Sequence, residues 1–297
     1  MYSAQLAHAQ GASGWYAGLS EQYSRYDQLR SGGDRIDEDG GQYLRSSITQ
    51  LFLGYGLSEQ WSLQLNAPLI HRSYLRLEHD GMADRGSDSG MGDVSVLAQY
   101  LAVQRMRDDA AFSWRLLAGI KLATGDSDRL AEELDEDHHG GLKHDDGIPV
   151  GVHGHDLALG SGSTDLLLGS TLNGRQGRWL YGAELQYAWR TEGDYDYRMG
   201  NDLQWAVSVG RYLRLDDDRS QSLQLRLSGE HKRFDELGGE RLGDTRQRTL
   251  ALGPQWAGTW GARQALEVGF ELPLDQQVSE VQITQGWRVR AAWTTRF

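Results

Sequence analysis

The feature that most constrains this chain is a period-two alternation of apolar and polar side chains, held over long segments. In the last segment Trp287, Val289, Ala291, Trp293, Thr295 and Phe297 share one side, and Arg288, Arg290, Ala292, Thr294 and Arg296 share the other. Successive side chains of a β-strand point to opposite faces, so this stretch has one apolar and one cationic face. Leu223, Leu225 and Leu227 stand in the same way against Gln224, Arg226, Ser228 and Glu230. Leu266, Val268, Phe270 and Leu272 stand against Glu267 and Glu271, and Phe112, Trp114, Leu116, Ala118, Ile120 and Leu122 against Ser113, Arg115 and Lys121.

Alternation alone fits two architectures. A soluble sandwich turns its apolar face inward, whereas a membrane barrel turns it to lipid and keeps polar groups in its lumen. Three features favour the barrel. The segments run roughly 10 to 14 residues, where a sandwich strand has about 5 or 6. Trp61, Trp179, Trp189 and Trp287 fall near segment ends, which suits interfacial aromatic girdles. Short connections alternate with long ones.

Composition then removes other classes. No apolar run approaches the ~18 residues of a membrane-spanning helix, and mean hydropathy is −0.59. The chain has no Cys, which excludes disulfides, zinc-thiolate and iron–sulfur sites and a thiol nucleophile. A formal net charge of −12 argues against a nucleic-acid partner.

The sequence therefore predicts an all-β fold, a transmembrane antiparallel β-barrel of about 12 strands with short periplasmic turns and long extracellular loops. Strands are expected near 14–28, 42–55, 60–77, 92–104, 112–124, 157–172, 178–191, 202–214, 221–233, 245–256, 264–274 and 285–297. Short turns are expected at 56–59, 105–111, 173–177, 216–220 and 257–263, the Asn173-Gly174 pair being a hairpin signal. Longer connections are expected at 29–41, 78–91, 125–156, 192–201, 234–244 and 275–284. An even strand number places both termini in the periplasm. Ala7-His8-Ala9 before Gln10 has the form of a signal-peptidase site without the charged and apolar regions that should precede it. Residues 1–13 thus read as a residual signal segment or a periplasmic tail, and 14–297 as a single barrel.

Several short motifs, in this order, carry a resemblance. Tyr55-Gly56-Leu57-Ser58-Glu59-Gln60-Trp61 leads to Ala67-Pro68, and Gly90-Met91-Gly92-Asp93 opens a strand. Thr124-Gly125-Asp126 closes one, Gly160-Ser161-Gly162-Ser163-Thr164-Asp165 opens another, and Tyr197-Arg198-Met199-Gly200-Asn201 and Leu272-Pro273 follow. Together they resemble a Gram-negative outer-membrane β-barrel family assigned to transport in the meta-pathway of phenol degradation. The resemblance implies outer-membrane localisation, about twelve strands and passage of small molecules, aromatic or hydrophobic compounds among them. It brings no catalytic residue.

Two residue sets could carry function. The connection 126–156 holds His138, His139, His144, His153 and His155, interleaved with acids and followed by Asp156. Imidazoles with carboxylates suit Zn, Cu or Ni, so this His-rich loop is a candidate metal-binding segment reached from outside, and metal handling is the alternative function. The bland alternative is a solvated acidic loop. The second set is the lumen. With apolar faces toward lipid, Arg115, Lys121, Glu184, Arg226, Glu230, Lys232, Glu267, Glu271, Arg288 and Arg290 point inward, either as a ladder that tunes selectivity or as salt bridges that fill a narrow barrel.

A barrel hydrolase is a distant third reading. Ser161 and Ser163 follow His155 and Asp156, but no nucleophile-elbow pattern marks them, and the expectation is a channel rather than an enzyme. Expected partners are outer-membrane lipid, a small-molecule solute, and the barrel-assembly machinery through the strand ending at Phe297. Lipopolysaccharide is also expected, through divalent cations held by Asp34, Asp37, Glu38, Asp39, Asp84 and Asp88 facing outward.

Overall fold

A computed structural model describes residues 14–37, 40–77, 81–134, 149–261 and 263–297. The strands are β1 (Gly14–Ser31), β2 (Asp34–Ile36), β3 (Tyr43–Gly56), β4 (Trp61–Leu77), β5 (Ala83–Met91), β6 (Ser95–Met106), β7 (Ala110–Lys121), β8 (Asp165–Gln176) and β9 (Trp179–Trp189). They continue as β10 (Tyr197–Arg198), β11 (Asp202–Leu215), β12 (Arg219–Lys232), β13 (Glu236–Leu237), β14 (Glu240–Arg241), β15 (Gln247–Trp260), β16 (Gln264–Val278) and β17 (Val281–Arg296). Fourteen of them form one sheet, and β17 pairs back onto β1. With β2 and β5 as appendages, twelve antiparallel strands go round a closed barrel. Around the lower half closure leaves no sheet edge, as a lipid environment demands.

Exposure settles which face looks out. Leu225 is 50% exposed beside Arg226 at 3%, and Leu272 is 48% exposed beside Glu271 at 1%. Such a belt of bare leucines is tolerable only against acyl chains. Trp15, Trp61 and Trp179 ring the end that carries the short turns, and Trp189 marks the other. Trp287 departs from the expected position at a strand end. Because β17 starts at Val281, Trp287 sits within it and packs on Tyr23 and Phe270, with ring centroids 5.4 and 6.4 Å away.

The lower end, with the short turns, also holds Gly14 and the C-terminal strand, where the Phe297 N–H donates to the Trp15 carbonyl at 3.0 Å. One expected turn moves. Asn173 and Gly174 lie inside β8, opposite Gly182 and Tyr181, and the chain reverses after Gln176. Gly177 takes φ 56° there, a left-handed conformation that costs glycine little.

The upper end differs more from expectation. Residues 83–91, expected within a connection, form β5, which pairs with the upper part of β4 while β6 pairs with the lower part. Gly92–Val94 separate the two, so one staggered strand serves both halves of the wall. β16 and β17 are linked by two residues rather than the long connection expected at 275–284. They pair only from Gln264↔Thr295 to Glu271↔Arg288. Above that, β16 stays on β15 and β17 on β1. Divided pairing of this kind removes the hairpin alternation that a sequence pattern reports.

Candidate functional site

The strand expected at 157–172 begins only at Asp165. Residues 150–161 are instead almost wholly buried, because the chain before β8 runs back into the upper lumen. Val152, and Leu157 at the end of a helical turn at Gly154–Leu157, pack on Leu29, Leu44, Tyr74 and Ile283 from the surrounding wall. Gln42 Nε2 donates to the Pro149 carbonyl at 2.7 Å, and its Oε1 accepts from the Gly151 N–H at 3.0 Å. The Ile283 N–H, on the stretch of β17 that lacks β16, donates to the Gly151 carbonyl at 2.8 Å. Gly151 is needed there, since a Cβ would lie 2.0 Å from Leu29 Cδ1. Arg72 donates to the carbonyls of Asp156 and Ala158, tying the segment to β4.

Three of the glycine–aspartate motifs meet where this plug leaves the wall. Lys121 Nζ lies 2.5 Å from Asp93 Oδ2 and 2.8 Å from Asp165 Oδ2, and it also donates to Ser161 Oγ. Asp93 accepts from the N–H groups of Gly125 at 2.9 Å and Ser161 at 3.0 Å. Asp165 receives Arg190 Nη1 at 2.8 Å and Ser163 Oγ at 2.8 Å. Gly125 and Gly160 touch backbone to backbone, a Cβ on Gly160 lying 2.5 Å from the Gly125 carbonyl carbon. Those glycines permit the close approach that lets one carboxylate bind both segments. The sequence flagged the motifs without showing that they converge.

The geometry does not make Ser161 a nucleophile. Its nearest cation, Lys121, is held between two carboxylates. The His155 ring is turned away, its Nδ1 lying 2.9 Å from Glu133 Oε1. Among the described residues Ser161 has no imidazole base within reach, as nucleophilic activation would need.

His153 and His155 lie inside the plug rather than on an outward-facing loop. Their rings stack with centroids 5.6 Å apart and planes 5° from parallel. His153 Nε2 lies 3.4 Å from Asp244, and His155 Nε2 lies 3.7 Å from Asp156. Burial works against a charged His155, but Asp156 and Glu133 outweigh it, and its pKa is raised to about 10. The ring thus belongs to an ion-pair core with Glu133 and Asp156. Nearby, Asp235 accepts from Tyr197 Oη at 2.5 Å, Lys232 Nζ at 2.9 Å and the Gly200 N–H at 2.6 Å. Burial opposes its ionised form, yet Lys232 and His155 hold its carboxyl below the usual range. Among the described residues no three His, Asp or Glu side chains gather in a way that could hold a metal ion. His138, His139 and His144 lie outside the described residues.

Of the charged side chains expected in the lumen, Lys121, Arg226, Glu230, Lys232, Glu267, Arg288 and Arg290 line an upper cavity, Arg115 and Glu184 line a lower one, and Glu271 is bonded to Arg290. Arg226 Nη2 donates to Glu184 at 2.6 Å, and its Nε lies 3.6 Å from Glu271. Glu271 also receives Arg290 at 2.5 Å, with Arg288 at 3.8 Å from both Glu271 and Glu230. This belt crosses the barrel from β9 to β17. The upper cavity, of about 480 Å³, is roofed by Ala158–Ser161, with Lys121, Glu230, Lys232, Arg288 and Arg290 on its walls. It is also lined by Pro68, Ile70, Leu159, Leu167 and Ala188, with Arg72 and Arg190 among them. The lower cavity, of about 290 Å³, holds Arg115 and Glu184. Arg226, Gln255 and Glu267 line both, so the cavities meet there.

Of the expected outward acids Asp34 and Asp37 are exposed, while Asp84 and Asp88 are placed differently. Asp84 is 3.1 Å from Arg76, and Asp88 3.0 Å from Arg129, both on the inner side of β5. Period-two parity explains this, because Arg85, Ser87 and Ser89 take the outer face. Glu38 and Asp39 lie outside the described residues.

A closed barrel with a lipid-facing apolar belt and a charged, plugged lumen is the architecture of outer-membrane β-barrels. Comparison with solved structures agrees on the fold. An outer membrane channel from Pseudomonas putida F1 superposes with a TM-score of 0.68 at 16% identity, over 96% of this chain and 96% of that one. The β domain of the Bordetella autotransporter BrkA aligns over 96% of this chain and 100% of that one, at 12% identity and a TM-score of 0.48. No protein-family model matches the sequence, and the comparison with curated proteins finds no match.

Proposed function

We propose that this protein is an outer-membrane channel for the uptake of small molecules, aromatic and hydrophobic compounds being the favoured class. One observation carries the reading: two cavities inside a closed barrel meet at Arg226, Gln255 and Glu267. The upper cavity lies in the size range of small-molecule sites. Aliphatic side chains share its lining with charged ones, a mixture that suits a flat apolar ring bearing a polar substituent. The sequence motifs point the same way, and the similar Pseudomonas putida barrel is itself called an outer membrane channel.

The test is reconstitution. Planar bilayers should show small single-channel currents, and proteoliposomes should take up an aromatic acid such as benzoate faster than a disaccharide. A barrel that is silent and impermeable to both overturns the reading. Arg226→Gln, which removes a positive charge where the cavities meet, is expected to shift the cation-to-anion permeability ratio toward cations by about twofold, as rings of charge tune pores.

A further inference from the structure

We infer that Arg25, Arg45 and Arg85 form an anion-binding patch on the outer wall that docks a phosphorylated glycolipid of the outer leaflet. The three residues point away from the lumen. On β1, Arg25 follows the outward series Trp15, Leu19 and Tyr23, the last packed on outward Trp287. On β3, Arg45 is exposed beside Leu44, which faces the plug. On β5, Arg85 is exposed next to Gly86, whose inner side abuts Tyr74.

Their height follows from register. Trp15 opposes Tyr55 at the lower girdle, and Arg25 opposes Arg45 on the same pair of strands. Ten residues at about 3.4 Å each, tilted by about 40°, climb roughly 26 Å. An outer-membrane barrel has an apolar band about 25 Å tall. The guanidinium groups thus reach the level where hydrocarbon gives way to headgroups.

Charge supplies the second argument. Like charges directly opposite each other across strands repel, yet Arg25 and Arg45 are such a pair. Arg25 is met by Asp27 at 2.7 Å, and Arg45 lies 4.6 Å over the Tyr43 ring. Arg85 lies two strands beyond β3 and two residues above Ser87, since Arg45 opposes Ser73 and Ser73 opposes Ser87. Among the described residues, Asp27 is the one carboxylate paired within this trio. A phosphate monoester would relieve the repulsion, because guanidinium groups bind its oxygens in bidentate fashion. Ser73 and Ser87 lie between the arginines. Elsewhere the upper wall carries Trp189 and Leu274, and the exposed Arg248 there opposes His231 rather than a second arginine.

The experiment uses the full chain folded in detergent. Native mass spectrometry would follow retention of a bis-phosphorylated deep-rough lipopolysaccharide, of the same lipid after enzymatic dephosphorylation, and of inorganic phosphate. The wild type is expected to retain the phosphorylated lipid at least tenfold better than the dephosphorylated one and to retain no inorganic phosphate. R25Q/R45Q should lose about tenfold in affinity while keeping heat-modifiable migration on gels, and R25K/R45K should lose less. Arg211→Gln, on the outer wall near the lower girdle, should change nothing. Equal retention of the two lipids overturns the proposal, and this arm needs no variant to fold. Unchanged affinity in folded R25Q/R45Q, or equal retention of free phosphate, also overturns it.

Discussion

The lower and upper halves of the barrel are built on different principles. In the lower half every strand is paired on both sides, the turns are short, and side chains such as Ser220 and Thr259 add only local bonds, 2.7 Å between hydroxyls. In the upper half β4 changes partner from β6 to β5, and β16 and β17 part company above Glu271 and Arg288. What the wall loses there is supplied from inside by residues 149–165, through backbone bonds, an aliphatic patch and buried ion pairs. A regular ladder closes itself. An interrupted one depends on a segment distant in sequence, and its stability then rests on a few polar groups.

That contrast can be broken most sharply at the Lys121 clasp. Asp165→Ala leaves Lys121 and Arg190 without their shared buried carboxylate, and breaking such a pair costs about 3–5 kcal/mol. Denaturant unfolding should record that loss, with the plug cut by protease and conductance raised. A fully protected plug would show that the clasp does not hold it.

Next comes protonation. The pKa of His155 rises from 6.5 to about 10 on folding, so its contribution is complete below pH ~6.5 and fades as pH climbs through 10. Protease cleavage within 149–161 should therefore increase between pH 7 and 10. His155→Gln, which removes a charged hydrogen bond worth about 1.5–3 kcal/mol, should make cleavage high and independent of pH. A flat wild-type profile counts against the imidazolium.

Gly151→Val sharpens the packing side of the comparison. Its side chain would collide with Leu29, and overpacking of this sort costs about 1–3 kcal/mol. The expected result is a displaced plug and higher conductance over an intact barrel, measured as an unchanged heat-modifiable band. The smallest effect belongs to the lower half. Ser220→Ala should cost no more than about 1 kcal/mol, the scale of a cross-strand pair, and leave currents unchanged.

The lumen was legible in the sequence because parity places Arg226, Glu271 and Arg290 on the same side as their polar neighbours. The plug was not. Leu157 and Leu159 alternate with their neighbours well enough to pass for the start of a strand. A signal did exist, since Val150, Val152, Leu157 and Leu159 are too apolar for an extracellular loop. The outward acids expected at Asp84 and Asp88 failed for the opposite reason: without recognising β5, the sequence offers no parity to apply.

The sequence by itself determined most of the strands, the outward apolar belt and the side on which the charges lie, because the two-residue repeat of a β-strand is local and survives in any fold that uses it. Only the tertiary structure decided how the upper end is sealed. The Gln42–Pro149 bond joins residues 107 apart, and the Lys121–Ser161 contact residues 40 apart. Contacts over such distances leave no periodic trace. They depend on which glycines permit backbones to touch and on where buried charges find their partners.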